Sequence, residues 1–296
     1  MKTFIWFLLS VCALAITGCA GGANLASSAA AAPANPVSTP APSDPTSTPA
    51  PSDPTSSSPS SAPQGATVLS NIQASSGWES WGQLAPLYAD CDAPCPGVNW
   101  TMTQGVSSPS LSGNAAEFDI NGTTPYADVL WTNPVVGQFS TQGLPDKSHT
   151  LLPTIHNFIY DADFYVSDAA VTQVLEFDIN LFMNSTAWTW GNQCNHLGDG
   201  DWDISANSGW KSTGAPCQLI DKGWNHVTIQ VQREDDNSLL FQTITLNGVT
   251  ATINKTLQTY AVPASWYGIT VNYQMDGNYN ESANTTYLDN LSLTYW

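Results

Sequence analysis

The stretch VLEFDINLFM, residues 174 to 183, sets Leu175, Phe177, Ile179, Leu181 and Met183 at every second position, with Glu176, Asp178 and Asn180 between them. Alternation with a period of two is the pattern of a β-strand with one face in a core. The polar set therefore projects as a group from the opposite face.

The same division recurs elsewhere in the chain. In WNHVTIQVQ, from Trp224, the residues Val227, Ile229 and Val231 oppose Thr228, Gln230 and Gln232. In YGITVNYQM, from Tyr267, the residues Ile269, Val271, Tyr273 and Met275 oppose Thr270, Asn272 and Gln274. Helix-period runs are scarce after residue 67, so the expectation is an all-β sandwich of two antiparallel sheets. In TITLNGVTATI the dipeptide Asn247-Gly248 separates two alternating runs and predicts a hairpin, because both residues tolerate positive φ. Asn121-Gly122 is a second predicted turn.

Ahead of this region the chain reads differently. Lys2, an apolar run from Phe4 to Ile16 and then Ile16-Thr17-Gly18-Cys19 form an export signal over 1–19 that ends in a lipobox, so Cys19 is the expected lipidation site. Residues 20–66 are rich in Ala, Pro, Ser and Thr, with TPAPSDPTS repeated in tandem from Thr39 and Thr48. Such a composition cannot bury a core and reads as a disordered linker. One β-sandwich domain, 67–296, follows. The expected location is a bacterial cell envelope, with membrane attachment through the lipid alone.

Six Lys or Arg stand against 24 Asp or Glu, a net charge of -18 that becomes one unit more negative when the leader takes Lys2 away. Nucleic acid is excluded as a partner by this balance. Cys12 lies in the leader and Cys19 takes the lipid, which leaves Cys91, Cys95, Cys194 and Cys217. An even number in an exported chain implies disulfides, and locality favours Cys91–Cys95 with Cys194–Cys217.

If the three polar strand faces lie together, Glu176, Asp178, Asn180, Gln230, Gln232, Asn272 and Gln274 make a surface of planar amides and carboxylates. Those groups hydrogen-bond hydroxyls, which points to a polysaccharide as ligand. Trp188, Trp190, Trp202, Trp210 and Trp266 are placed in or beside loops, where an aromatic ring can stack on a sugar. No cofactor is required for this. Asp199, Asp201 and Asp203 in DGDWD have the spacing of a calcium loop, without the glycine at position six or the glutamate at twelve of an EF-hand, and are the candidate for a structural calcium.

The segment 224 to 250, WNHVTIQVQREDDNSLLFQTITLNGVT, with the closing TTYLDNLSLTYW, resembles the late strands of concanavalin A-like lectin/glucanase (LamG-like) jelly rolls. Most of 77 to 296 also resembles a group of bacterial exported proteins carrying such a domain, which implies the fold and no activity. Laminarinase-type hydrolases of that superfamily carry E-x-D-x-E on a strand. The resemblance implies a nucleophile position at Glu176 and an assisting position at Asp178, but the third place holds Asn180, or Leu181 if the motif is bulged, and neither can act as an acid. EFDIN at 117 to 121 stops at the same place. A glycan-cleaving enzyme would thus draw its acid from another strand, with Glu117 or Asp119 as candidates. The alginate-lyase-like enzymes of the same fold would use His226, Gln230, Tyr273 and Gln274, with Arg233 as the only arginine. A structural or adhesion module is the remaining alternative to a glycan-binding one.

Overall fold

The computed structural model describes residues 63–206 and 209–296. The export signal, Cys19 and the linker up to residue 62 lie outside them. Among the described residues the strands are β1 (Thr67–Leu69), β2 (Glu79–Leu84), β3 (Ala89–Cys91), β4 (Val98–Val106), β5 (Ala115–Gly122), β6 (Asp128–Gly137), β7 (Asn157–Val166), β8 (Val174–Met183) and β9 (Thr186–Cys194). They continue as β10 (Asp201–Ser205), β11 (Lys211–Pro216), β12 (Gly223–Arg233), β13 (Leu239–Leu246), β14 (Val249–Leu257), β15 (Tyr260–Ala261), β16 (Gly268–Asp276) and β17 (Asn284–Tyr295). Two single turns of 3-10 helix, Ile72–Ala74 and Leu152–Thr154, are the helical segments among these residues.

The strands form two antiparallel sheets. The first runs β14-β13-β12-β7-β17-β5-β4, with β1 also on β17, and the second runs β11-β10-β9-β8-β16-β6-β2-β3, with β15 also on β9. They pack face to face as an all-β sandwich of the jelly-roll type, because each alternating strand turns its apolar residues to the same interior. From the first sheet come Phe158, Tyr160, Ala162 and Phe164 of β7 with Val227, Ile229 and Val231 of β12; from the second come the odd positions of β8 and β16. Aromatic rings bridge the layers. Phe177 lies 5.0 Å from Phe164 and 6.0 Å from Tyr160 across the gap, and 5.6 Å from Tyr273 in its own sheet. Phe118 meets both Trp131 and Tyr273 at 5.0 and 4.9 Å.

The Asn247-Gly248 hairpin forms as expected: Leu246 pairs with Val249, and the two turn residues have φ of 51° and 80°. Asn121-Gly122 does not turn. Both residues end β5, where Asn121 pairs with Asn99 and Gly122 with Val98. Gly122 answers to crowding instead, since a Cβ there would sit 2.3 Å from the Gly97 carbonyl oxygen. Both expected disulfides are present, Cys91–Cys95 and Cys194–Cys217, with Cα separations of 5.6 and 5.5 Å in the normal range.

The fold divides the expected polar surface. β8 and β16 are neighbours, with Glu176 opposite Gln274, Asp178 opposite Asn272 and Asn180 opposite Thr270. β12 belongs to the other sheet, so Gln230 and Gln232 face outward on the far side of the sandwich. Three of the tryptophans placed in loops are also core residues. Trp188 and Trp190 sit on β9 and Trp202 on β10, all facing inward, and Trp190 is fully buried against Phe158 at 5.1 Å. Trp210 and Trp266 stay partly exposed.

Candidate functional site

The outer face of the second sheet is the candidate site. Its centre is β8, whose polar residues are enclosed by the strands on either side: Glu176, Asp178 and Asn180 are 4, 6 and 7 % exposed. Register extends this into rows. Asp203 of β10 lies beside Gln193 of β9, which lies beside Glu176, which lies beside Gln274 of β16. One step along, Asp178 is flanked by Asn272 and then Thr132 of β6.

These side chains bind one another. Gln274 Nε2 donates to Glu176 Oε1 at 2.6 Å and to Asp276 Oδ1 at 2.9 Å. Asn180 Nδ2 donates to the Thr270 hydroxyl at 3.1 Å, and the Thr132 hydroxyl donates to Asn272 Oδ1 at 2.7 Å. Gln193 and Asn195 both donate to Asp203 Oδ2, at 2.8 and 3.1 Å. Asp178 Oδ1 accepts the backbone N–H of Asn192 at 3.0 Å.

The electrostatics are one-sided. Burial pushes the Asp178 carboxyl up to about 7, although the Asn192 N–H and the Asn272 amide hold it down, and the nearby Asp276 charge raises it further. Burial takes Asp276 up to about 6 against the opposing hydrogen bond from Gln274. In the 277–283 loop, burial lifts Glu281 to about 8, with the Ala127 N–H opposing and Asp276 adding. Such a face holds protons that an ordinary carboxylate would have released.

Aromatic groups flank it. Gly191 stands opposite Asp178 by the register of Glu176 with Gln193 and Ile179 with Trp190, and Trp210 covers that glycine. A Cβ on Gly191 would lie 3.1 Å from the Trp210 ring, which is why the position needs no side chain. On the same face the Tyr260 hydroxyl meets Thr189 at 2.9 Å. At the other end of β8 and β16 an apolar pocket is lined by Pro134, Phe139, Phe182, Trp266 and Thr270, with Trp266 edge-on to Phe182 at 5.2 Å. The face thus runs from an aromatic end through amides to an acidic end.

The remaining candidates are placed elsewhere. Gln232 accepts from Gln242 on the first sheet. Glu117 and Asp119 project from β5 on that same far face, so neither can supply an acid to Glu176. The lyase-like set is also dispersed: His226 and Gln230 are on the first sheet, Gln274 is on the second, and Tyr273 is a core residue whose hydroxyl meets Thr286. Arg233 is buried under Trp188, 5.6 Å from the ring, and donates to the Pro153 carbonyl.

Asp199, Asp201 and Asp203 each have a hydrogen-bond partner of their own. Asp199 accepts the Asp201 N–H, Asp201 accepts from Ser212, and Asp203 belongs to the acidic row. Among the described residues no three His, Cys, Asp or Glu side chains are arranged to hold a metal ion.

Reading the sequence overlooked Gln193, Thr132, Asp276 and Tyr260. Asp276 continues the period-two pattern Thr270, Asn272, Gln274 and could have been found from it. Gln193 and Thr132 become visible only through strand register.

No protein-family model and no curated protein matches the chain. Among solved structures it is similar to a conserved carbohydrate esterase from the Shiga toxin-encoding bacteriophage phi24B, with a TM-score of 0.41 and 14% identity over 78% of this chain and 99% of that one. It is also similar to an alginate lyase of polysaccharide lyase family 7, with a TM-score of 0.35 and 10% identity over 74% and 94%. The lectin UEA-II, complexed with galactose, gives a TM-score of 0.34 and 11% identity over 75% and 98%.

Proposed function

We propose that this chain is an exported glycan-binding module, tethered to the envelope through a lipid on Cys19, whose site is the outer face of the second sheet. The observation that carries the reading is the convergence of Glu176, Asp178, Gln193, Asn272 and Gln274 on one sheet face between aromatic groups. A merely solvated face has no need of interlocked amides and carboxyls. Hydroxyl-rich ligands do use them, because each carboxylate accepts and each amide both donates and accepts. The two disulfides suit an oxidising compartment outside the cytoplasm.

Affinity electrophoresis in polysaccharide gels tests the placement. Glu176→Ala and Asn272→Ala should each weaken retention by about ten-fold, the worth of one hydrogen bond to or beside a charged group. Gln230→Ala, on the far sheet, should leave retention unchanged. Retention that ignores Glu176→Ala, or falls with Gln230→Ala, would move the site.

One observation favours a second reading, glycan cleavage. Burial raises the Asp178 carboxyl to about 7, so it keeps its proton at mildly acidic pH, two residues from the Glu176 carboxyl on the same strand face, an arrangement in which it can serve as a general acid. Two strand residues span about 6.6 Å of rise, nearer the carboxyl separation of inverting than of retaining glycosidases. Release of reducing ends by the wild type, lost in Asp178→Asn, would establish catalysis; binding without product leaves the module reading.

A further inference from the structure

We infer that the face takes a glycan whose sugars carry an acetamido group, with the methyl of that group in the apolar pocket at the end of β8 and β16 and its N–H donated to Asn180 Oδ1. This rests on the glycan-binding reading above and specifies the chemistry of its ligand.

The pocket follows from strand register. On the outer face Phe182 of β8 lies opposite Gly268 of β16, and Gly268 lies opposite Gly137 of β6, so two places of that row carry no side chain. Backbone crowding keeps them bare. A Cβ on Gly268 would sit 2.6 Å from the Val136 carbonyl oxygen, and one on Gly137 would sit 2.4 Å from the Gly268 Cα. Phe139, from the loop after β6, and Trp266, from the loop before β16, join Phe182, Pro134 and Gly268 in lining a pocket of about 30 Å³. The two loops are tied together, since the Gln138 N–H donates to the Tyr267 carbonyl at 3.2 Å and Gln138 Nε2 donates to the Ser265 carbonyl at 2.8 Å. Phe139 is nevertheless 44 % exposed, an apolar ring left half in solvent. A cavity admits a water at about 10 to 15 Å³ and benzene at about 150 Å³, so this one suits a methyl group and no sugar ring.

Thr270 joins the pocket to the amides, because it lines the one and bonds Asn180 at 3.1 Å. The hydrogen bonds there run in one direction. The Asn272 amide donates to Asp178, so its Oδ1 is the end that accepts the hydroxyls of Thr132 and Thr270, at 2.7 and 3.3 Å. Thr270 has then given its proton to Asn272 and can only accept from Asn180 Nδ2. Asn180 Oδ1 is left with no donor among the described residues, two strand positions from Phe182. A methyl-sized apolar pocket beside an unused amide acceptor calls for a methyl and a donor on one group. In a trans amide the N–H lies opposite the carbonyl oxygen, and so on the same edge as the methyl of an acetamido group. A plain hexose brings donors without the methyl, and a 6-deoxy sugar brings the methyl without an adjoining N–H.

Saturation-transfer NMR and titration of the full chain with neutral monosaccharides test the inference, with N-acetylglucosamine and N-acetylgalactosamine set against glucose, galactose and fucose. At least one acetamido sugar should bind about ten-fold tighter than its parent hexose, the worth of a buried methyl and one hydrogen bond. Its acetyl methyl should be the most strongly saturated proton, a readout that needs no variant. Phe139→Ala and Asn180→Ala should each remove most of the preference, while Gln230→Ala, on the far sheet, should keep it. A cooperative melt of each variant confirms that it folds. Equal binding of the acetamido sugars and their parent hexoses, or tighter binding of fucose, would overturn the inference and leave glycan binding standing. A preference that survives Phe139→Ala would overturn the pocket, and one that survives Asn180→Ala would overturn the acceptor. Binding of none of the five sugars by a protein retained in polysaccharide gels also refutes it, whereas retention in no gel refutes the glycan reading as well.

Discussion

Replacing Asp178 by Asn probes the acidic face through stability alone, without any ligand. Its carboxyl moves from the ordinary 3.8 to about 7 on folding, chiefly by burial. A raised carboxyl contributes stability that is fully present below its unfolded value and is lost as pH rises through the folded one. Folding therefore takes up a proton at Asp178 between roughly pH 4 and pH 7, which costs about 1.4 kcal/mol per pH unit across that window. Between about pH 5 and pH 7.5 this one group removes about 2 to 3 kcal/mol from the wild type, allowing for its interaction with Asp276. Asn keeps an oxygen for the Asn192 N–H and does not titrate, so the variant loses this dependence. Urea unfolding at both pH values should find the stability of Asp178→Asn relative to the wild type greater at the neutral end than at the acid end by about that amount. Parallel pH profiles for the two proteins would show that Asp178 is ionised and solvated in the fold, and the account of the buried acidic row would fail.

Three other outcomes follow from the architecture. Phe177→Ala, which empties the contact between Phe164, Tyr160 and Tyr273, should cost about 3 to 5 kcal/mol in denaturant unfolding, and a loss under 1 kcal/mol would contradict its central place. Thermal midpoints with calcium and with chelator should coincide, since Asp199, Asp201 and Asp203 point to separate partners; a clear rise with calcium would restore the loop as a site. Metabolic labelling with a palmitate analogue should mark the wild type and not Cys19→Ala, and equal labelling would remove the tether from the proposal.

Local features were readable in the sequence because local physics decides them. The alternation of β8 fixes which side chains point inward, the Asn247-Gly248 pair can adopt the positive φ a tight hairpin needs, and both disulfides join cysteines close along the chain. What stayed hidden depends on register between distant segments. β12 and β16 carry the same pattern of amides on one side and aliphatics on the other, so nothing in either strand says that Gln230 and Gln274 end on opposite faces of the sandwich. The tryptophans of β9 misled for another reason. Trp188 and Trp190 alternate with Thr189 as core residues should, and Gly191 after them continues the strand and admits Trp210.

The distribution of charge also argues against an inert face. A sandwich stabilised only by its core would gain from neutral residues at Asp178, Asp276 and Glu281, where burial raises the carboxyls to about 7, 6 and 8 and makes ionisation less favourable. The first sheet shows how this fold accommodates acids when stability is the requirement, with His226 set between Asp161 and Asp163, Thr228 donating to one and Asn290 to the other. The second sheet surrounds its acids with amides that are already engaged and leaves Asp203 Oδ1 and Glu281 Oε1 without a donor. Local rules of this kind are broken at functional sites, where the missing partner arrives with the ligand. A ligand that brings hydrogen-bond donors supplies the partner those two oxygens lack, and a ligand without donors gains nothing from the arrangement.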